Sequence, residues 1–349
     1  MNQPVIYNVT QRTQGNMTNQ DPKLSSKIFD EDIEKEPIRD GFGKGLVEAG
    51  ERDPRVVALS ADLTESTRTH WFKEKFPERY IEIGVAEQNL ATVASGLANY
   101  GKIPFITSYA VFSPGRNNEQ IRTTISLNNV PVKVVGAHAG ISVGPDGATH
   151  QALEDIALMR VQPNMTVLVP CDSEEAQKAT IAAAQHDGPV YIRLAREKTP
   201  KFTTQETSFE IGKAQIFFTP QEDVAIKAGI IACGPLLHNA LMAAKAFEYG
   251  GIGVEVMNLS TIKPIDKKAI VAFAKKVGAV VTVEEHQVAG GMGSAVAEVL
   301  SGEYPVPMEF VGVQDMFGQS GTPEELIEHY GMGSSSIQKA VEKVIKRMG

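Results

Sequence analysis

Arg79-Tyr80-Ile81-Glu82-Ile83-Gly84-Val85-Ala86-Glu87-Gln88-Asn89 reads as a strand delivering the chain into a helix. An apolar run precedes Glu87, and beyond it Leu90, Val93, Ala94 and Leu97 recur at the spacing of one helix face. Such a strand-to-helix turn is the repeating unit of an α/β domain. Glu87 stands at the mouth of the turn, against the core. A partly buried carboxyl favours its protonated form, which can donate a hydrogen bond to a ring nitrogen and trade a proton with it. The position also suits a solvated first-turn glutamate facing the helix dipole.

Outward from this turn the same texture continues. Short apolar runs predict strands over 55–60, 103–107, 132–137, 165–169 and 190–194, with helices between them. The first strand delivers Asp62 to the carboxyl edge of the sheet, where ligands bind in open α/β folds. One helix is expected to open near Ser173, capped by that serine and followed by Glu174 and Glu175. Between Glu197 and Asp223 the pattern fades, and a second α/β domain follows, with strands over 224–232, 253–259, 279–284 and 308–313. Its helices are expected over 236–249, 266–277 and 292–300. Gly290-Gly291-Met292-Gly293 opens the last of these, but lacks the full dinucleotide fingerprint and reads as a tight turn with close helix packing. Residues 1–35, rich in Asn, Gln, Thr and Ser, lack a sustained apolar period and are expected to form a flexible or partner-wrapping extension. The expected organisation is an extension at 1–35, a mostly parallel domain at 36–198, a linker at 199–222 and a smaller α/β domain at 223–349.

A chain of 349 residues, 42% of them hydrophobic, suits two domains. A net charge of −8 argues against a broad nucleic-acid or anionic-membrane surface, while leaving room for a local basic pocket. Only Cys171 and Cys233 are present, each beside an apolar run, and are expected to be reduced thiols of a cytoplasmic protein. No run approaches transmembrane length and no signal pattern opens the chain.

Three loops gather chemistry. Residues 136–151 follow a strand and combine glycines with His138, Asp146 and His150, a set able to grip a hydroxylated substrate and exchange protons near neutrality. A His/Asp/His metal site is the competing reading, with the histidines twelve residues apart and no fourth ligand evident nearby. Tyr109 and Phe112, three apart, can wall a heteroaromatic ring or pack in the core. The strand at 191–196 ends on Arg196, a cation suited to phosphate or to plain surface exposure.

Together these stretches resemble the transketolase family, thiamine-diphosphate enzymes, and specifically the C-terminal half found in two-subunit members. Ser60-Ala61-Asp62-Leu63, Gly84-Val85-Ala86-Glu87-Gln88, Gly144 to Gln151 and Leu158-Met159-Arg160 carry the likeness, which runs from about Arg39 to the C-terminus. It implies a pyrimidine-binding domain followed by the family's smaller C-terminal domain. By the same resemblance Glu87 bonds the aminopyrimidine ring of thiamine diphosphate, Tyr109 and Phe112 wall it, and Asp62 lies near the cofactor at a subunit boundary. His138 contacts hydroxyls near the reacting carbon, Asp146 a sugar hydroxyl, and His150 the region of the carbonyl. Arg39, Ser66 and Arg196 match positions that hold the distal phosphate of a sugar phosphate. The stretch after Phe112 is one residue longer than the family's, with Gly115 or Arg116 where a third wall residue is expected.

The chain lacks the Gly-Asp-Gly with a distant Asn that holds the metal and diphosphate in the family. No metal site is therefore expected here. Mg²⁺ or another divalent cation is expected on a partner, an N-terminal transketolase subunit, in an α2β2 assembly. The expected activity is transfer of a two-carbon unit from a ketose phosphate such as xylulose 5-phosphate to an aldose phosphate such as ribose 5-phosphate, within pentose phosphate metabolism. The alternatives are the β subunit of a 2-oxo acid dehydrogenase, half of a split deoxyxylulose-phosphate synthase, and a non-catalytic scaffold keeping the fold.

Overall fold

A computed structural model describes residues 22–348. The first part alternates strands and helices: β1 (Lys35–Pro37), α1 (Ile38–Arg52), β2 (Val56–Ser60), α2 (His70–Lys75), β3 (Tyr80–Glu82), α3 (Glu87–Asn99) and β4 (Ile103–Tyr109). There follow α4 (Asn118–Gln120), continuing as a π-helical stretch Ile121–Ser126, then β5 (Lys133–Ala137), α5 (Asp155–Arg160), β6 (Thr166–Leu168), α6 (Ser173–Gln185), β7 (Val190–Arg193) and β8 (Lys198–Pro200). The second part comprises β9 (Gln215–Phe218), β10 (Ile226–Ala232), α7 (Leu237–Tyr249), β11 (Gly253–Asn258), β12 (Thr261–Lys263), α8 (Lys267–Val277) and β13 (Val280–Gln287). It ends with α9 (Met292–Glu303), β14 (Met308–Val313), α10 (Pro323–His329) and α11 (Ser334–Lys346).

A seven-stranded sheet, order β12-β6-β7-β5-β4-β2-β3, organises the first part, and every neighbouring pair is parallel except β12 with β6. Its inner strands β2, β5, β6 and β7 are buried throughout, and β4 up to its last residue, because helices cover both faces; the edge strand β3 is only partly covered. Alternate residues divide between those faces. Val56 and Ala58 pack with Phe42 and Leu46 of α1 and Ala176 and Ala179 of α6, whereas Val57 and Leu59 pack with Leu90, Ala91 and Ala94 of α3. Gly41 and Gly45 let α1 approach α6 closely: a Cβ on Gly41 would fall 1.7 Å from Ser173 O and one on Gly45 2.7 Å from Gln177 O.

The second sheet, order β14-β13-β10-β11-β9, is parallel apart from β9. Side chains of α7 and α11 cover one face, those of α8 and α9 the other. The latter core is continuous with that under α3, through Met159, Val167, Val169, Leu259 and Ile262. The two parts thus share one apolar interior.

Three expectations are corrected, and one strand was not foreseen. Residues 22–35 do not hang free: Ile28 and Ile33 are buried, Phe29 meets Phe218 edge-on with centroids 5.9 Å apart, and Ser25 N donates to Phe202 O. The low apolar density concealed these few anchors; the rest of the expected extension, residues 1–21, lies outside the described residues. The expected linker is structured, since it carries β9 and the buried Phe202 and Phe217. β12, short and inside the second part of the chain, adds an edge to the first sheet. Finally, Asp172 caps α6, accepting from Glu175 N at 2.9 Å, and Ser173 is its first helical residue.

Candidate active site

The parallel sheet collects its chemistry at one edge because each strand releases its chain there. Asp62 follows β2, Glu87 follows β3, Phe112 follows β4, His138 follows β5 and Arg196 follows β7. Asp62 and His138 take left-handed backbone angles, φ 59° and 53°. That conformation is uncommon for non-glycine residues and clusters at functional turns.

A chain of contacts joins these ends. Glu87, its side chain 1% exposed, opens α3 and accepts from Arg116 Nη1 at 2.8 Å. Asn117 Nδ2 donates to Glu87 O at 3.0 Å. The Arg116 Cζ lies 4.6 Å from the Phe112 centroid, and Phe112 stacks with Tyr109 at 6.0 Å and 18°. His150 stands edge-on to Phe112, centroids 5.5 Å apart. Tyr109 in turn lies 3.9 Å from the His138 ring at 26°, and His138 Nε2 is 3.1 Å from Arg39 Nη1. Arg39 Nη1 also donates to Ser66 O at 2.8 Å, so Ser66 enters through its carbonyl.

Burial, then Arg39, Arg196 and Arg68, push His138 down to about 2, so the imidazole is neutral at physiological pH. Burial and nearby Arg68 likewise lower Arg39 from its usual value. Arg68 is anchored by Asp40 at 2.5 Å and Arg196 by Val143 O at 2.8 Å. A neutral imidazole beside this cationic group can donate or accept with a hydroxyl, while the guanidiniums suit an anion.

The loop carrying His138, Asp146 and His150 is clamped from the second part of the chain. Ser142 N donates to the buried Glu285 Oε1 at 2.6 Å, and Gln151 Nε2 donates to Gln319 O at 3.0 Å. Beneath it Arg193 Nε donates to Asp155 Oδ2 at 2.8 Å and Arg193 Nη2 to Glu285 O at 2.7 Å, with both side chains of the ion pair buried. Tyr191 Oη donates to the same Asp155 oxygen at 2.6 Å. The start of α9 is filled from within: Met292 N and Gly293 N donate to the Glu284 carboxylate at 2.6 and 2.8 Å.

Of the expected residues, Glu87, Tyr109, Phe112, His138, His150, Arg39 and Ser66 meet in one line. Asp62 and Asp146 stand exposed on flanking turns. Neither side chain is hydrogen-bonded to that line among the described residues. The buried carboxylate and stacked rings fit an aminopyrimidine, and two buried atoms beside them, Asn117 Oδ1 and His138 Nδ1, lack protein partners. No group of three His, Cys, Asp or Glu residues able to hold a metal occurs among the described residues. Sequence reasoning missed Arg68, Asn117 and Glu285. Glu285 carried no local signal, since it belongs to a strand on the other sheet; the positive charge of Arg68 beside Ser66 was the one available clue.

Family models described as transketolase, pyrimidine binding domain, and transketolase, C-terminal domain, match residues 34–201 and 213–337. The chain is 42% identical to a putative transketolase C-terminal section of Methanocaldococcus jannaschii, over 89% of this chain and 96% of that relative. It is 40% identical to a 6-deoxy-6-sulfo-D-fructose transketolase subunit of Clostridium sp., over 91% and 98%. A solved chain described as a split gene transketolase, inactive beta4 tetramer, is similar with a TM-score of 0.82 and 45% identity, over 89% of this chain and 98% of that one. With its fold, its edge of site residues and these likenesses together, the chain belongs to the transketolase family and is similar to the C-terminal sections of its split members.

Proposed function

We propose that this chain is the C-terminal subunit of a two-subunit transketolase that transfers a two-carbon ketol unit from a ketose phosphate, such as xylulose 5-phosphate, to an aldose phosphate, such as ribose 5-phosphate. The observation that carries this reading is the run of contacts from Phe112 through Tyr109 and His138 to Arg39, with Arg116 bridging Glu87 to Phe112 at its other end. One end suits a heteroaromatic ring and the other an anion. Thiamine diphosphate, when bound, supplies the thiazolium that acts as electron sink for the carbanion. Glu87 holds the proton at a ring nitrogen of that cofactor, Tyr109 and Phe112 wall the ring, and Asp62 lies beside it. His138, neutral, and His150 orient the hydroxyls and carbonyl of the sugar, Asp146 accepts from a further hydroxyl, and Arg39, Ser66 and Arg196 hold the distal anion.

The diphosphate and its Mg²⁺ or similar cation belong on this reading to an N-terminal partner subunit, in an α2β2 assembly in a reducing cytoplasm. Two buried free thiols suit such a compartment, and among the described residues no helix is long and apolar enough to cross a membrane. The similar solved chain is described as an inactive beta4 tetramer. A relative named for a sulfo-sugar makes a second anion reasonable, because guanidiniums accept a sulfonate as well as a phosphate. The test is ketol transfer by this chain with and without its N-terminal partner, given thiamine diphosphate and Mg²⁺, offering phosphorylated, sulfonated and neutral ketoses, with pyruvate decarboxylation as control. Transfer restricted to the complex and to anionic sugars is expected. Robust transfer by the chain alone would sink the two-subunit reading, and pyruvate decarboxylation without ketol transfer would sink the substrate class.

A further inference from the structure

Two of the groups assigned to the cofactor ring, Glu87 and Phe112, are already engaged by a single side chain. Arg116 Nη1 donates to Glu87 Oε2 at 2.8 Å, and its guanidinium carbon lies 4.6 Å from the Phe112 centroid. Glu87 Oε1 accepts no hydrogen bond among the described residues. A carboxylate only 1% exposed carries a heavy desolvation cost unless a cation compensates it. Arg116, with 48% of its side chain exposed, compensates it from the mouth of the site.

The local turn explains why this residue is the one that arrives. A Cβ on Gly115 would fall 2.1 Å from Val111 O, so no side chain can complete the wall from there. Gly115 N donates to Ala110 O at 3.2 Å and Arg116 N to Phe112 O at 2.8 Å, which folds Arg116 back over the ring. Its guanidinium is planar, delocalised, cationic and rich in N–H donors. Those are the properties a protonated aminopyrimidine edge presents to the same carboxylate.

We propose that Arg116 is an internal occupant of the cofactor-ring subsite, which neutralises Glu87 and covers Phe112 in the free chain and is exchanged outward when the ring of thiamine diphosphate binds. This rests on the ring-binding role assigned to Glu87 and Phe112 above. Arg116 then sets cofactor affinity, because only the fraction of molecules with the pair open accepts the ring. Its half-exposed head returns to water on displacement, so the exchange needs no movement of buried backbone.

The experiment is calorimetric titration of thiamine diphosphate, with Mg²⁺, into the complex of this chain and its N-terminal partner, comparing the native protein with Arg116→Met and Arg116→Gln. Both variants are expected to bind at least about fivefold more tightly. Unliganded, both should melt below the native complex, with a larger rise in Tm on saturation. Equal or weaker binding by the variants overturns the inference, since Arg116 is then a fixed part of the wall or a bystander. Should the neutral variants fail to assemble, Arg116→Lys keeps the charge without the planar face; tighter binding supports the exchange and unchanged or weaker binding overturns it. A native complex that binds no thiamine diphosphate defeats the ring-binding reading itself, which separates the two failures.

Discussion

The rings of Tyr109 and His138 lie 3.9 Å apart at 26°, joining the last residue of β4 to the residue that follows β5. The imidazole is thereby held by a face contact as well as by Arg39. Removing the tyrosine ring by Tyr109→Ala should loosen both the ring wall and the imidazole. Aromatic pairs contribute roughly 0.5–1.5 kcal/mol beyond their buried area, so KM for the sugar and Kd for the cofactor should each rise about 3–10-fold. Tyr109→Phe should retain near-native values; equal losses in both variants would point to the hydroxyl instead.

His138 should make acid destabilising. Its folded value of about 2 lies below its unfolded value of about 6.5, so the unfolded chain binds protons more tightly. The stability linked to it is fully present above pH ~6.5 and is lost as pH falls toward 2. His286, pushed down to about 4 by burial, contributes in the same direction. Replacing His138 by Asn should therefore reduce, without abolishing, the stability lost between pH 7 and 5, by about 1–2 kcal/mol in urea unfolding. An unchanged pH slope in the variant would contradict the assignment.

Glu87→Gln should leave the reconstituted complex folded while lowering turnover about 10²–10⁴-fold, the usual contribution of a positioned acid or base. Circular dichroism melting reports the first half of this expectation and steady-state ketol transfer the second. Near-native turnover would rule out the proton-holding role.

Arg196 donates to Val143 O and sits 3.1 Å from Glu197, with its side chain 29% exposed. Hydrogen bonds to charged groups contribute about 1.5–3 kcal/mol, so Arg196→Ala should raise KM for anionic sugars about 10-fold or more. Neutral sugars should be used as before. A similar loss for both classes would place Arg196 in a structural role.

Asp155 and Arg193 form a fully buried pair at 2.8 Å, the two side chains 1% and 2% exposed. Asp155→Ala leaves the guanidinium without its counter-charge, a change that typically destabilises by about 3–5 kcal/mol. Chemical unfolding of the variant measures it. A loss below about 1 kcal/mol would mean that the carbonyls of Ala152 and Glu285, which also accept from Arg193 Nη2, suffice.

What the amino-acid sequence determined by itself is local. Continuous apolar runs marked β2, β4, β5 and β7, and with them the edge where Asp62, Tyr109, His138 and Arg196 emerge, because a strand buried on both faces must be apolar at every step. The 3.6-residue period after Glu87 marked α3 as a helix but placed its buried face imperfectly: Leu90 and Ala94 are buried, Val93 is exposed, and Ala91, Ser95 and Ala98 complete the buried face. What only the tertiary structure decided depends on partners distant in the chain. Arg39 meets His138 across 99 positions, Arg116 meets Glu87 across 29, and Glu285 reaches Ser142 across 143. No local period encodes such meetings, because the topology of two sheets brings those positions together. For the same reason residues 22–35 and the segment carrying β9 looked featureless: a few anchors such as Ile28 and Phe217 become buried only when the second sheet supplies a surface. Glu87 was legible as a carboxylate at a helix start, but its pairing with Arg116 was not, since a residue's neighbours are set by the fold that closes around it.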